Sequence, residues 1–109
     1  MHHHVGIILT SVHDASMAKT LAHGLVEQQL AACVQISASG SSVYHWDGSA
    51  HEEAECYLSI KAPLGCRDGI IAWLEQHHPY DTPEIIVLEA QAAKAYSNWM
   101  QQVTEIPET

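Results

Sequence analysis

Positive charge is what this sequence lacks most: 4 Lys and Arg stand against 13 Asp and Glu, a formal charge of −9 over 109 residues. A surface that negative repels phosphate backbones, so nucleic acid and anionic membrane are poor partners and cations are favoured. Phenylalanine is absent and cysteine is scarce. The three cysteines, Cys33, Cys56 and Cys66, are odd in number and show no CxxC spacing, which excludes a disulfide framework and a zinc knuckle. No apolar run approaches membrane-spanning length, and no basic stretch followed by an apolar one opens the chain. A cytoplasmic protein is expected. Also missing are a P-loop, a nucleotide-binding glycine fingerprint, an HExxH and a Ser-His-Asp order. With no positioned base and nucleophile in view, the chain does not read as an enzyme.

What is present suits one domain with a modest core, since 47% of the residues are hydrophobic and 16% are charged. Val5 to Thr10 is an apolar, β-branched run and reads as a buried strand. Asp14 or Ser16 can cap the helix that follows, in which Ala18, Leu21, Ala22, Leu25, Val26 and Leu30 repeat at helical spacing. Lys19, His23 and Glu27 form a solvated stripe on another face. Cys33 to Ser37 reads as a second strand, and Ser39-Gly40-Ser41-Ser42 interrupts it with a bulge or bend. Val43 to Trp46 resumes it before Asp47-Gly48, a strong hairpin signal. On the return strand, about His51 to Lys61, Ala54, Cys56, Leu58 and Ile60 alternate with Glu53, Glu55, Tyr57, Ser59 and Lys61. The hairpin is long for so small a domain and should project, with Glu52, Glu53 and Glu55 as solvated edge charges. Cys33 and Cys56 read as small core residues. Cys66 opens a second helix, where the dipole could lower its pKa, although a tolerated free thiol is the simpler reading. Glu84 to Leu88 makes a further strand, and Ala92 to Gln102 a terminal helix carrying Tyr96 and Trp99.

The order β-α-β-β-α-β with an added C-terminal helix predicts an α+β, ferredoxin-like sandwich, with helices on one face of an antiparallel sheet. The expected division is a disordered start or tag remnant at 1–4, a single domain at 5–104 and a loose tail at 105–109. A one-sided sheet should be polar on its free face, yet Val5 to Leu9 and Ile85 to Leu88 are apolar at successive positions. No segment is left over to cover that face, so self-association is expected.

The most informative stretch is His77-His78-Pro79-Tyr80, followed by Thr82-Pro83-Glu84. Imidazoles are the commonest metal ligands, and Pro79 drives His78 out of the α region, so the helix must end here. His77 can instead cap its own helix, where the last carbonyls need donors. Neighbours in extended chain point apart, so the pair should not chelate one ion alone.

Leu30-Ala31-Ala32-Cys33-Val34, Tyr44-His45-Trp46-Asp47-Gly48, the alternating Glu55 to Lys61, His77 to Glu84, and Tyr96 with Trp99 stand in an order that resembles the CutA divalent-cation-tolerance family. The resemblance runs from about Val5 to Gln102. It implies a tight homotrimer, similar in architecture to PII signalling trimers, whose long hairpins augment neighbouring subunits. It also implies a copper(II) or other divalent-cation site with no organic cofactor, attributed in that family to the paired histidines, here His77 and His78, and a cysteine on the first strand. The position matching that cysteine is Thr10. A second set, Lys61, Tyr80, Glu84, Trp46 and Trp99, is implied to line clefts between subunits. It would suit a small polar ligand or anion, or serve as salt bridge and aromatic packing within the trimer. A PII-like signalling or scaffold trimer, binding a small molecule or partner protein in that cleft, is the alternative function. Finally, a free amine at Met1 with the His3 imidazole and intervening amides would bind Cu(II) in a planar four-nitrogen site unrelated to the fold.

Overall fold

The computed structural model describes residues 3–107. Five strands and three α-helices follow the chain as β1 (His4–Val12), α1 (Ala15–Glu27), β2 (Cys33–Ile36), β3 (Gly40–Trp46), β4 (Ser49–Pro63), α2 (Arg67–His77), β5 (Ile86–Gln91) and α3 (Lys94–Gln102). The sheet is antiparallel in the order β2-β4-β1-β5, and β3 pairs with the first half of β4. This is the ferredoxin-like order with a hairpin arm added. Of the expected free start, Met1 and His2 lie outside the described residues, as do Glu108 and Thr109 of the expected tail. His4 pairs with Gln91, His3 O accepts from Ala92 N, and Glu105 N donates to Gln29 O, so the chain is tied in near both ends.

Local signals explain the element ends. Asp14 caps α1 through its carboxylate, which accepts from Met17 N at 2.8 Å. The far end of α1 closes with Leu30 N on Leu25 O and Gln29 N on Val26 O, a pattern that holds Gln29 at φ 58. At the hairpin tip Asp47 (φ 51) and Gly48 (φ 81) both take left-handed conformations, as a two-residue type I′ turn requires. The Ser-Gly interruption is a register change: Ile36 faces Leu58 whereas Gly40 faces Glu55, so 37–39 carry one residue more than 56–57 opposite. Tyr57 pins this offset, since Tyr57 N donates to Ser37 Oγ and its hydroxyl donates to Ser41 O. A Cβ at Gly40 would stand 3.0 Å from the Tyr57 ring, which leaves glycine the residue that fits without displacing it.

Between the sheet and helices α1 and α2 lies the core, in which Ile8, Val12, Leu25, Leu58, Ile60, Ile70 and Leu74 are all but fully buried. Cys56 and Cys66 belong to it as small apolar fillers. Cys66 ends a short 3₁₀ turn before α2, and burial pushes its thiol pKa up, the reverse of the dipole effect expected from a helix opening. The alternation along β4 holds from Cys56 to Ile60 and continues to Ala62, but Ala54 is out on the arm and exposed.

The opposite face is only partly covered. α3 crosses one end of it, setting Met100 against Val5 and Ala32 with Ala90 and Val103 around them. A segment of the chain therefore does reach this face, contrary to expectation, because the links after β5 and α3 carry the terminal helix back over it. Beyond α3 the face is apolar and open: Ile86 is 48% and Leu88 47% exposed, beside half-buried Ile7 and Leu9. No helix among the described residues is long and apolar enough to cross a membrane.

Candidate functional site

The His-Pro junction sends its two imidazoles to different places. His77 ends α2, and its Nδ1–H donates to Trp73 O at 2.9 Å while the ring stacks on the Trp73 indole at 4.1 Å. A carbonyl can only accept, so Nδ1 carries the proton and Nε2 keeps its lone pair. The ring lines a surface groove between α1 and α2, with His23 and Glu27 on the other wall. His78 turns the other way. Its backbone is extended (ψ 138), and its ring is buried with Nε2–H donating to Ser11 O at 2.9 Å. Its Nδ1 accepts from Tyr80 N at 3.1 Å, so both nitrogens are used. Burial lowers the His78 pKa, outweighing the Ser11 carbonyl and the Glu55 carboxylate, which pull it up. The ring is a neutral structural pin between the junction and β1.

Tyr80 continues inward from that pin. Its ring meets His78 edge-on at 4.7 Å and tilts against His13 at 4.6 Å, and its hydroxyl donates to Glu55 Oε2 at 2.8 Å. Glu55 is 8% exposed and also accepts from Ser11 Oγ at 3.2 Å. It was expected among solvated hairpin charges. Its position on β4, facing Ser11 and the junction rather than the arm's outer edge, buries it. Hydrogen bonds to an ionised group contribute about 1.5–3 kcal/mol each, which offsets the desolvation of a carboxylate so placed. Tyr80 has its pKa raised far above the ordinary phenol value, by burial first and then by Glu55, so it stays a proton donor. Next along the wall, His13 Nδ1 lies 3.6 Å from Glu53 and 4.0 Å from Glu55. Tyr44 donates to Glu53 Oε1 at 3.0 Å, a bond that raises the Tyr44 pKa.

These groups form one wall of a cleft of about 860 Å³ between the hairpin arm and the junction loop. Trp46, Tyr80 and Glu84 from the second expected set all line it. Lys61 and Trp99 do not line it within one chain. Lys61 pairs with Ile7 and Cys33 farther along the open sheet face, and Trp99 sits on α3 with its ring 5.5 Å from Tyr96. Ser11, His13, Glu53 and Glu55 were missed as members of the set. The signal that bears on them is that Glu55 falls on the alternating part of β4, opposite Cys56 in phase.

Whether these residues fit a divalent metal can be tested on their donors. Thr10 holds the position that the resemblance gives to a cysteine, and its buried hydroxyl is the one fully buried side-chain polar atom without a partner among the described residues. A hydroxyl does not supply the thiolate that selects soft copper. His78 has no free lone pair, and His77 offers one. Among the described residues no group of three or more His, Cys, Asp or Glu is arranged to hold a metal. Among the described residues, therefore, His77 and His78 of one chain do not converge on a common chelate.

An antiparallel ferredoxin-like sheet, three helices and a projecting hairpin arm define a class of small α+β proteins. Within that class the chain belongs to the CutA1 divalent ion tolerance protein family, whose model matches residues 6–103. It is 35% identical over 95 residues to the divalent-cation tolerance protein CutA of Pectobacterium atrosepticum, covering 86% of each chain. Among solved structures it is similar to CutA from Synechococcus elongatus, with a TM-score of 0.88, 35% identity and coverage of 94% of this chain and 91% of that one. The Thermus thermophilus divalent cation tolerance protein gives a TM-score of 0.87 at 32% identity, covering 93% of this chain and 99% of that one.

Proposed function

We propose that this chain serves divalent-cation tolerance as a cytoplasmic homotrimer, binding copper(II) or another divalent cation through His77, with the remaining donors supplied by another copy. The observation that carries the metal reading is the tautomer of His77. A carbonyl acceptor on Nδ1 fixes the tautomer of this exposed ring and leaves Nε2 as the nitrogen with a lone pair, the arrangement that suits an imidazole ligand. His78, the other half of the pair, acts by holding the junction in place. The homotrimer is supported by the apolar, uncovered stretch of sheet around Ile86 and Leu88. Three free cysteines suit a reducing compartment.

The test is copper(II) binding by equilibrium dialysis in a background with His2, His3 and His4 replaced by alanine, which removes the amino-terminal site. His77→Ala should abolish most of the remaining binding, and His78→Ala should retain it. Normal binding by the His77→Ala/His78→Ala double variant would end the metal reading. For assembly, sedimentation should give a three-chain species, and a stable single-chain species at about micromolar concentration would end the trimer.

A second reading is favoured by one observation, the cleft beside Glu55. It is large enough for a molecule and walled by aromatic rings, which suits a PII-like sensor or scaffold that takes a small molecule or partner protein there.

A further inference from the structure

His77 is the last residue of α2 and its ring is exposed, a place where side chains ordinarily move among rotamers. Here the ring is held twice. Nδ1–H donates to Trp73 O at 2.9 Å, and the imidazole lies on the Trp73 indole with centroids 4.1 Å and planes 19° apart. Residues four apart on a helix stand one above the other, so the indole is a bench for the imidazole. A bench holds nothing unless it is itself fixed.

What fixes it belongs to the other helix. The Trp73 side chain is half-buried against the core, and its six-membered ring lies against α1 at Gly24. A Cβ at that glycine would stand 2.5 Å from Trp73 Cζ2 and 2.7 Å from Cη2, closer than real Cβ atoms come, so any side chain there must displace the indole. Gly24 serves no turn and has no positive φ: it lies inside α1, where glycine is a poor helix former. The space it leaves for the indole accounts for it. All the contacts run between α1 and α2, on the sheet face opposite Ile86 and Leu88, so the stack is complete within one chain.

We propose that Gly24 and Trp73 are positioning residues for His77. The glycine seats the indole on α1, and the seated indole, with its own carbonyl, holds the imidazole in one tautomer and one orientation before any ligand arrives. The use of this to the protein rests on the metal reading above, in which Nε2 of His77 is a ligand. A ligand ring already immobilised loses no rotamer freedom when a cation binds, which strengthens binding about fivefold.

The experiment has a metal-free arm and a copper arm, both on the full chain with His2, His3 and His4 replaced by alanine. Nitrogen-15 spectra of the imidazoles near pH 8, where they are neutral, report the tautomer of each. His77 should appear as the Nδ1–H form. Gly24→Ala and Trp73→Ala should each give a mixture of tautomers, and Trp73→Phe should keep the Nδ1–H form, since it retains a ring to stack on. The double variant Gly24→Ala/Trp73→Phe separates positioning from general damage: the smaller ring vacates the space that the new Cβ needs, so it should recover the Nδ1–H form. In equilibrium dialysis with copper(II), Gly24→Ala should bind about fivefold more weakly, and the double variant should bind as the unsubstituted protein does. A His77 Nδ1–H signal that survives both Gly24→Ala and Trp73→Ala would overturn the seat. Loss of that signal with copper affinity unchanged would overturn its role in binding. If His77→Ala itself leaves copper binding intact, the metal reading fails, and the metal-free spectra alone judge the seat.

Discussion

The two faces of the sheet carry similar residues and meet different fates. On the helix side Ile8, Leu58 and Ile60 are at most 1% exposed, packed under α1 and α2. On the other side Ile86 and Leu88 stay nearly half exposed beyond the reach of α3. Composition along the strands does not distinguish the faces. What distinguishes them is which face has an element of the same chain to close it. The helix face therefore holds the stability of the single chain, and the open face holds a surface that only another molecule can remove from water.

That contrast predicts its own breakage. Ile60→Ala should cost the chain about 4 kcal/mol in urea unfolding, transfer and cavity together, at any protein concentration, whereas the cost of Leu88→Ala should act through assembly and shrink on dilution to under about 1 kcal/mol. Equal losses at the two positions would erase the distinction between the faces.

His78 sharpens the comparison at the sheet's end, where the junction is fastened to β1. Its pKa is lowered in the folded chain, so the folded state binds fewer protons than the unfolded one. Its contribution is then complete above the unfolded value, about 6.5, and falls away as pH drops through the folded value. Thermal melts from pH 7.5 downward should show the wild-type chain losing stability relative to His78→Gln as the pH falls below about 6.5. Parallel pH profiles for the two proteins would refute it.

The smallest effect belongs to Thr10. It points into the helix-side core with its hydroxyl unpaired. Thr10→Val keeps the shape and removes the unpaired group, and should raise stability by about 1 kcal/mol in the same urea assay. A loss of stability would mean that the hydroxyl is partnered in solution.

How much of this could be read before folding depended on distance along the chain. The strand order, the Asp14 cap, the Asp47-Gly48 turn, the end of α2 before Pro79 and the capping role of His77 are all local, and each was legible. The interrupted hairpin was legible as a fault, and its form proved to be a single extra residue opposite Tyr57. What escaped was set by register between remote segments. Glu55 is buried because β1 brings Ser11 to it from 44 positions away, and His78 reaches the same serine's carbonyl across 67. No periodicity near either residue encodes such a meeting. Lys61 and Trp99, which the family resemblance put with Trp46 in clefts between subunits, stand within one chain over another part of the sheet.

β4 links these regions as a single span. Fifteen residues run unbroken from the arm's tip to the middle of the sheet, a length of about 50 Å that matches the molecule's longest dimension of 47 Å. A strand that is both arm and keel cannot swing at its root independently of the core. Where Trp46 ends up is therefore decided far away, by how Leu58 and Ile60 seat beneath the helices. A slight change of twist there would be magnified at the tip, so core packing acts as the sight by which the arm is aimed.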